Sequence, residues 1–246
     1  MRAGTGCTFC FRINEGESVN TEDLTVYETA RGRTYKLLAD CYHVPDAATH
    51  ERIVALLEAL QSACPAAAAD VAGLKSALEN KFDPDPLKVE YAKLFVGPFS
   101  IAAPPYGSVY LESPRQLMGD TTQDALRRYR AAGLEIARDF KDAPDHITVE
   151  LEFMSFLIFK AIEASSNSNA EEKVHYLETQ KSFFENHLGA WVLEFVDAVV
   201  KSAETAFYQN LAKTTAAFLK KDGKAISAVL ASEQFRREKH AETDSR

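Results

Sequence analysis

The chain contains little of what marks many protein classes. Its four cysteines are too few for a disulfide scaffold, so the reducing cytoplasm is the expected compartment. No apolar run approaches the roughly 20 residues that a membrane-spanning helix needs, because Glu194 and Asp197 interrupt the most apolar stretch. The N-terminus also lacks the apolar segment of a secretory signal. The sequence therefore predicts a soluble protein that does not cross a membrane.

The sequence also lacks the short motifs of common enzyme classes. It contains no phosphate-binding G-x-x-x-x-G-K-[ST], no strand-linked G-x-G-x-x-G, no H-E-x-x-H and no G-x-S-x-G. Its net charge of −8 opposes binding to nucleic acid and suits a basic partner better. An enzyme would have to use residues that no motif marks. The sequence therefore indicates neither catalytic residues nor a cofactor or metal.

Apolar residues at helical spacing are abundant. Hydrophobic residues make up 46% of the 246 residues, which is enough for one substantial core. Tyr35, Leu38 and Tyr42 follow an i, i+3, i+7 pattern, and the segment 147–164 is apolar on more than one side, which predicts a central buried helix. Helices are predicted at about 21–43, 47–63, 67–80, 84–96, 122–132, 147–164, 170–188, 190–202 and 203–221.

No credible strand alternation accompanies these helices, so the predicted fold class is all-α. The expected architecture is a single compact helical bundle-like domain, with two lobes joined by a hinge as the other arrangement. We place a flexible N-terminal arm at 1–20, the helical domain at 21–232 and a charged, frayed tail at 233–246.

The most informative segment is an uncharged loop predicted at 97–110. It holds three of the nine prolines, Pro98, Pro104 and Pro105, together with three aromatic residues. Connections of this length without structure of their own are uncommon in compact domains. Two interpretations follow, and both can hold. In the first, the loop packs over helix ends. In the second, it forms a preorganised groove wall that binds an extended or helical peptide.

Asp145 and His146 stand where a helix start is expected. An Asp at the N-cap typically stabilises a helix by about 1 kcal/mol, so the first interpretation is that Asp145 is the cap. His146 would then be the first helical residue, where the helix dipole disfavours the charged imidazole. A neutral His beside a carboxylate is also suited to general-base chemistry. The alternative function is therefore a small-molecule- or nucleotide-binding protein or enzyme that uses this pair.

Cys7 and Cys10 form a C-x-x-C pair near the N-terminus. No second pair of this kind and no H-x-x-x-H follows at zinc-finger spacing. Cys41 and His43 could in principle complete a set of four ligands. Metal or redox chemistry is the minor interpretation, and two ordinary cysteines on a flexible arm are the major one.

Three blocks of sequence resemble a known family. The first, EYAKLFVGP at 90–98 with PPYGSVYL at 104–111, is similar to the pattern E-Y-x-x-L-F-x-G-P…P-P-[YW]-x-S-V-[YW]-L. The second is PDHI at 144–147 with ELEFM at 150–154, and the third is NHLGAW at 186–191 with FY at 207–208. Over roughly 35–221 the chain thus resembles the TorD/DmsD/NarJ family of cytoplasmic chaperones that assist maturation of molybdenum-cofactor oxidoreductases.

The resemblance implies an all-helical fold, sometimes with lobes exchanged between the protomers of a swapped homodimer. It implies a non-catalytic chaperone that binds the twin-arginine signal peptide and the precursor of a molybdopterin-dependent oxidoreductase. Export then waits until the cofactor is inserted. The family has also been linked to weak guanine-nucleotide binding, for which this sequence has no phosphate loop.

The resemblance also implies a site, carried over residue by residue. One wall of a groove is formed by the loop, with Asp145 and His146 on the opposite side. The acidic residues Asp142, Asp145 and Glu150 would meet the arginines of the peptide. The arm with Cys7 and Cys10 precedes the part that matches. The peptide-binding residues implied are Tyr91, Phe95, Gly97, Pro98, Pro104, Pro105, Tyr106, Ser108, Asp145 and His146.

Overall fold

A computed structural model describes residues 21–65, 73–74, 83–97, 100–113 and 117–244. Within these ranges, side chains are described between residues 24 and 236. The predicted arm at 1–20, which contains Cys7 and Cys10, lies outside the described residues. Most of the helix predicted at 67–80 and Pro98 of the loop lie outside them as well.

Helices dominate the described residues, which confirms the all-α class. The single β contact there is an isolated antiparallel bridge between Tyr106 and His146. A turn of π-helix, Ala92–Val96, continues the third helix. The helices are α1 (Thr21–Cys41), α2 (Thr49–Ala63), α3 (Pro84–Tyr91), α4 (Gly107–Leu111), α5 (Asp120–Ala131), α6 (Ile147–Ser166), α7 (Ala170–Asn186), α8 (Leu188–Ser202) and α9 (Ala206–Asp244).

Helix α6 is the central helix, as its apolarity on several sides predicts. It packs against α1, α7 and α8, while α1 also packs on α2, and α9 packs on α7 and α8. One face of α6 lies completely in the core, and it consists of Leu151, Met154, Leu157 and Ile158. No helix in the described part of the chain has the length and apolarity needed to cross a membrane.

A buried polar network joins α1 to α7 and α9. The guanidinium of Arg31 donates from Nε to Asp222 Oδ1 at 2.7 Å and from Nη2 to Gln180 Oε1 at 2.6 Å. Its Nη1 donates to Glu28 Oε2 at 2.5 Å, and the hydroxyl of Tyr35 donates to Asp222 Oδ2 at 2.7 Å. A buried charge needs partners of this kind because it has lost its hydration. The network therefore fixes how the three helices pack.

The helix ends differ from the predictions mainly in the second half of the chain. Helix α6 extends to Ser166, which shortens the loop predicted at 165–169. Helix α9 runs without interruption from Ala206 to Asp244, where the sequence suggested an end near 221 and a frayed tail from 233. Its extension is supported by a small apolar cluster in which Leu230 and Val229 pack against Val174 and Leu177 of α7. Burial of these side chains explains why the helix continues past 221 as far as Leu230.

Candidate functional site

Helix α3 and the π-turn position the first half of the predicted site. Asp83 caps α3, because its Oδ1 accepts a hydrogen bond from the backbone N–H of Asp85 at 3.0 Å. The π-turn ends at Gly97, whose N–H donates to the carbonyl of Ala92 at 2.7 Å. Gly97 has a φ of +54°, and a Cβ at this position would lie 2.4 Å from the carbonyl oxygen of Ser100. The chain reversal therefore requires glycine.

The loop predicted at 97–110 ends earlier than expected, because its last residues belong to the short helix α4. Two backbone hydrogen bonds join this region to the start of α6. The N–H of Gly107 donates to the carbonyl of Asp145 at 2.9 Å, and the N–H of Ile147 donates to the carbonyl of Pro105 at 2.8 Å. The two segments that were predicted to face each other across a groove are therefore in direct contact.

Asp145 does not cap α6, and that prediction is wrong. Its Oδ2 instead accepts a hydrogen bond from the N–H of Ser108 at 2.7 Å, which satisfies a backbone donor at the start of α4. His146 is the N-cap, and its Nδ1 accepts from the N–H of Thr148 at 3.2 Å. Burial lowers the pKa of His146 to about 4. Burial therefore keeps the ring neutral at physiological pH and able to accept this bond, whereas the prediction that His146 is the first helical residue is wrong.

The side chains of Asp145 and His146 make their hydrogen bonds inside the protein. Asp145 is completely buried and His146 is 4% exposed. Besides capping the helix, Nδ1 of His146 lies 2.7 Å from the hydroxyl oxygen of Thr148, so a nitrogen that a general base would use is already engaged. The geometry gives no support to the alternative of an enzyme or nucleotide-binding protein based on this pair.

The residues implied as peptide-binding come together in space but differ in accessibility. The ring centroids of Tyr91 and Phe95 are 5.1 Å apart, and those of Tyr106 and His146 are 5.3 Å apart. In this conformation the half-buried residues are available to a partner, and the buried residues form the base beneath them. Phe95, Pro105, Ser108, Asp145 and His146 are buried, Tyr91, Gly97, Pro104 and Tyr106 are half-buried, and Pro98 lies outside the described residues.

An aromatic and acidic surface remains accessible where the two segments meet. We term it the rim and define it as Tyr91, Val96, Pro104, Tyr106 and Asp142. The hydroxyl of Tyr106 donates to Asp142 Oδ1 at 3.0 Å. Burial, with a smaller effect of the Asp142 charge, raises the pKa of Tyr91 to about 12. Val96 is 58% exposed; sequence reasoning missed it, because it occupies a position where the family pattern specifies no residue type.

Beneath the rim, the carboxyl group of Glu150 is buried against the only tryptophan. Its Oε2 accepts a hydrogen bond from Trp191 Nε1 at 2.8 Å, and its Oε1 lies 3.9 Å from Nδ1 of His187. Burial raises the pKa of Glu150 well above its usual value. Neither Glu150 nor the buried Asp145 reaches the surface, so their expected contact with the arginines of a peptide is not possible in this conformation. Of the three acidic residues, Asp142 is the exposed one.

Of the ligand set suggested by the cysteines, only Cys41 and His43 lie within the described residues. Cys41 is buried, and burial raises the pKa of its thiol to about 12, whereas His43 is exposed. A different group, Asp40, His43 and Glu152, brings ligand atoms within 4.8 Å of one another. The ammonium group of Lys36, however, lies 2.5 Å from Asp40 Oδ1 and 3.0 Å from Glu152 Oε1. Ion pairing with Lys36 accounts for the proximity of these carboxylates.

Comparisons with known proteins identify relatives over most of the helical region. Residues 58–197 match the sequence profile of the nitrate reductase delta subunit family. The chaperone protein TorD of Shewanella loihica is 28% identical over 221 residues, which cover 84% of this chain and 97% of that protein. TorD of Vibrio parahaemolyticus is 27% identical, over 55% of this chain and 62% of its own length.

A solved structure is also similar. It is described as a redox enzyme maturation protein from Archaeoglobus fulgidus, and the match has 20% sequence identity and a TM-score of 0.45. The match covers 83% of this chain and 98% of that chain.

Proposed function

The chain belongs to the TorD/DmsD/NarJ family of maturation chaperones, which is not a family of enzymes, and from this premise we propose that it binds the twin-arginine signal peptide of a molybdenum-cofactor oxidoreductase. Binding holds the precursor in the cytoplasm until the cofactor has been inserted and the client has folded. The low cysteine content suits this reducing compartment.

The observation that carries the proposal is the juxtaposition of apolar and acidic groups at the rim. A twin-arginine leader presents two adjacent arginines followed by an apolar stretch, so its site needs a carboxylate beside apolar surface. Asp142 supplies an exposed carboxylate, which the hydroxyl of Tyr106 orients through a 3.0 Å hydrogen bond. The rings of Tyr91 and Tyr106 supply apolar surface, and so does the exposed side chain of Val96, which lies at the end of the π-turn that follows Tyr91.

The base of the rim supports the proposal because it preorganises these groups. The ring of Tyr91 packs edge-on against the buried Phe95, and the ring of Tyr106 packs edge-on against the buried His146. Aromatic side chains that are already held in place lose little entropy when a peptide binds. In this proposal the buried members of the implied site act by holding the rim, and the half-buried members touch the peptide.

Isothermal titration calorimetry tests the proposal with synthetic leader peptides of molybdoenzymes encoded next to this gene. We expect at least one leader to bind. We expect Asp142→Asn to weaken its binding by about tenfold, because a hydrogen bond to a charged partner is lost. Asp139→Asn is the matched control, since Asp139 is an exposed carboxylate on the same segment, and it should leave the affinity unchanged.

A second peptide, with both arginines replaced by glutamine, tests which part of the leader meets Asp142. We expect Asp142→Asn to have little further effect on this peptide, because the two changes remove the same interaction. Val96→Asp should weaken both peptides, since it places a charge on the apolar surface. The proposal fails if no leader binds, and it fails equally if a strain lacking the gene retains full reductase activity.

A further inference from the structure

The carboxylate of Glu90 reaches the start of α9. Glu90 is the residue before Tyr91 of the rim, and it is 4% exposed. Its Oε1 accepts hydrogen bonds from the N–H of Glu204 at 2.5 Å and from the N–H of Thr205 at 2.9 Å. These residues immediately precede α9. A negative charge is favoured there because it lies at the positive end of the α9 helix dipole.

Two other contacts join the same parts of the fold. The hydroxyl of Tyr208 on α9 donates to the carbonyl of Leu87 on α3 at 3.1 Å. The ammonium of Lys93 lies 3.2 Å from Glu204 Oε1, but both side chains are more than half exposed, and a solvent-exposed ion pair contributes little. Glu90 is therefore the buried charged tether between α3 and the start of α9.

We propose that Glu90 is a positioning residue for peptide binding, an inference that rests on the proposed function. Tyr91 follows Glu90 directly, and Val96 is the last residue of the π-turn that continues α3. Loss of the carboxylate leaves two backbone donors at the part-buried α8–α9 junction without their charged acceptor, and it removes the two hydrogen bonds that join α3 to this junction. The segment that carries Tyr91 and Val96 then loses its fixed position, although Glu90 itself does not belong to the rim.

Calorimetry with a leader peptide that binds the wild-type chain provides the first test. We expect Glu90→Ala to raise the Kd by about tenfold. Lys93→Ala is the matched control, because it removes the exposed contact with the same residue, Glu204, and should change the Kd by less than about twofold. A wild-type Kd for Glu90→Ala would overturn the inference.

Backbone hydrogen exchange distinguishes local release of residues 91–97 from a general loss of stability. In Glu90→Ala we expect faster exchange at Glu204, at Thr205 and in residues 91–97, with unchanged exchange in α7. Uniformly faster exchange over the whole chain would also overturn the inference, because it indicates loss of stability without local release.

Glu90→Gln keeps the test available if Glu90→Ala does not fold. Its amide oxygen still accepts from the two N–H groups, but it has no charge, so we expect a Kd between those of wild type and Glu90→Ala. Faster exchange at Thr205 in Glu90→Gln with an unchanged Kd would show that the tether does not position the rim. If wild type binds no leader, the proposed function fails, and the exchange at residues 91–97 still decides whether Glu90 holds that segment.

Discussion

The carboxylate of Asp145 and the backbone N–H of Ser108 form a buried hydrogen bond of 2.7 Å. The bond joins the start of α6 to α4 across 37 positions of sequence. Oδ1, the other carboxylate oxygen, has no hydrogen-bond partner within the described residues. The bond to Ser108 is therefore the main polar contact of this side chain, and it joins two segments that were predicted to lie on opposite sides of a groove.

Removal of this carboxylate should loosen α4. We expect Asp145→Ala to lower the free energy of unfolding by about 2 kcal/mol, because a backbone donor loses a charged acceptor in the core. Asp145→Asn keeps an oxygen acceptor and should lose less. Urea unfolding followed by circular dichroism measures both variants. Equal stability of Asp145→Ala and wild type would show that the hydrogen bond contributes nothing.

The capping role of His146 gives a second prediction. We expect His146→Ala to lower the free energy of unfolding by about 1 kcal/mol, because the N–H of Thr148 loses its acceptor. His146→Asn is the matched variant, since Asn is among the best N-cap residues, and it should recover most of this loss. If Asn and Ala are equally destabilising, the packing of the imidazole ring matters more than the cap.

The same residue makes stability depend on pH in a defined window. Burial lowers the pKa of His146 from 6.5 to about 4, so the unfolded chain binds more protons than the folded chain between these values. The contribution of the neutral ring is complete above pH 6.5 and is lost progressively as the pH falls towards 4. We expect a shallower fall of stability in His146→Asn than in wild type. Parallel curves would contradict this assignment.

Ionisation of Glu150 should make the stability depend on pH in the opposite direction to that of His146. Burial raises its pKa well above 4.5 in the folded chain, so stability falls as the pH rises beyond 4.5 and the unfolded carboxyl ionises. Glu150→Gln removes the charge and keeps an acceptor for Trp191 Nε1. We therefore expect Glu150→Gln to be more stable than wild type in mildly alkaline buffer, with a smaller difference near pH 4.5. Urea unfolding followed by Trp191 fluorescence measures the difference, and a constant difference at all pH values would refute the argument.

Much of the helical frame could be predicted from the sequence because its signals are local. The predicted end of α2 at Ala63 agrees with the structure. Asp83 before Pro84 marks the start of α3. Gly133 follows α5 with a φ of +80°, as expected of the glycine after a helix end.

What could not be predicted depends on partners distant in sequence. A carboxylate next to a helix start is expected to cap that helix, and only the fold reveals that Asp145 bonds to Ser108. The length of α9 depends on contacts between Leu230 and α7, which periodicity within α9 does not report. In the candidate site, the residues that the family blocks indicate differ in burial, since Tyr106 is half-buried and Phe95 is buried.

Gly97 and Gly133 both have positive φ, a conformation in which alanine costs on the order of 1–3 kcal/mol of free energy of unfolding. Gly97 combines it with a ψ of 141°, outside the left-handed helical region, so its backbone is even less suited to alanine. A Cβ at Gly133 meets no atom within 4 Å, whereas a Cβ at Gly97 lies 2.4 Å from the backbone oxygen of Ser100. We expect Gly97→Ala to cost about 1–3 kcal/mol more than Gly133→Ala, because backbone must move to make room.

Urea unfolding of the two variants gives this difference, and leader-peptide titration gives its functional consequence. Gly97 follows Val96 of the rim directly, so the backbone shift in Gly97→Ala should displace part of the proposed peptide surface and weaken binding. Gly133 lies after α5, outside the rim, so Gly133→Ala should bind the leader with unchanged affinity while losing some stability. Equal affinities in two folded variants would mean that the turn at Gly97 supports the fold without shaping the peptide surface.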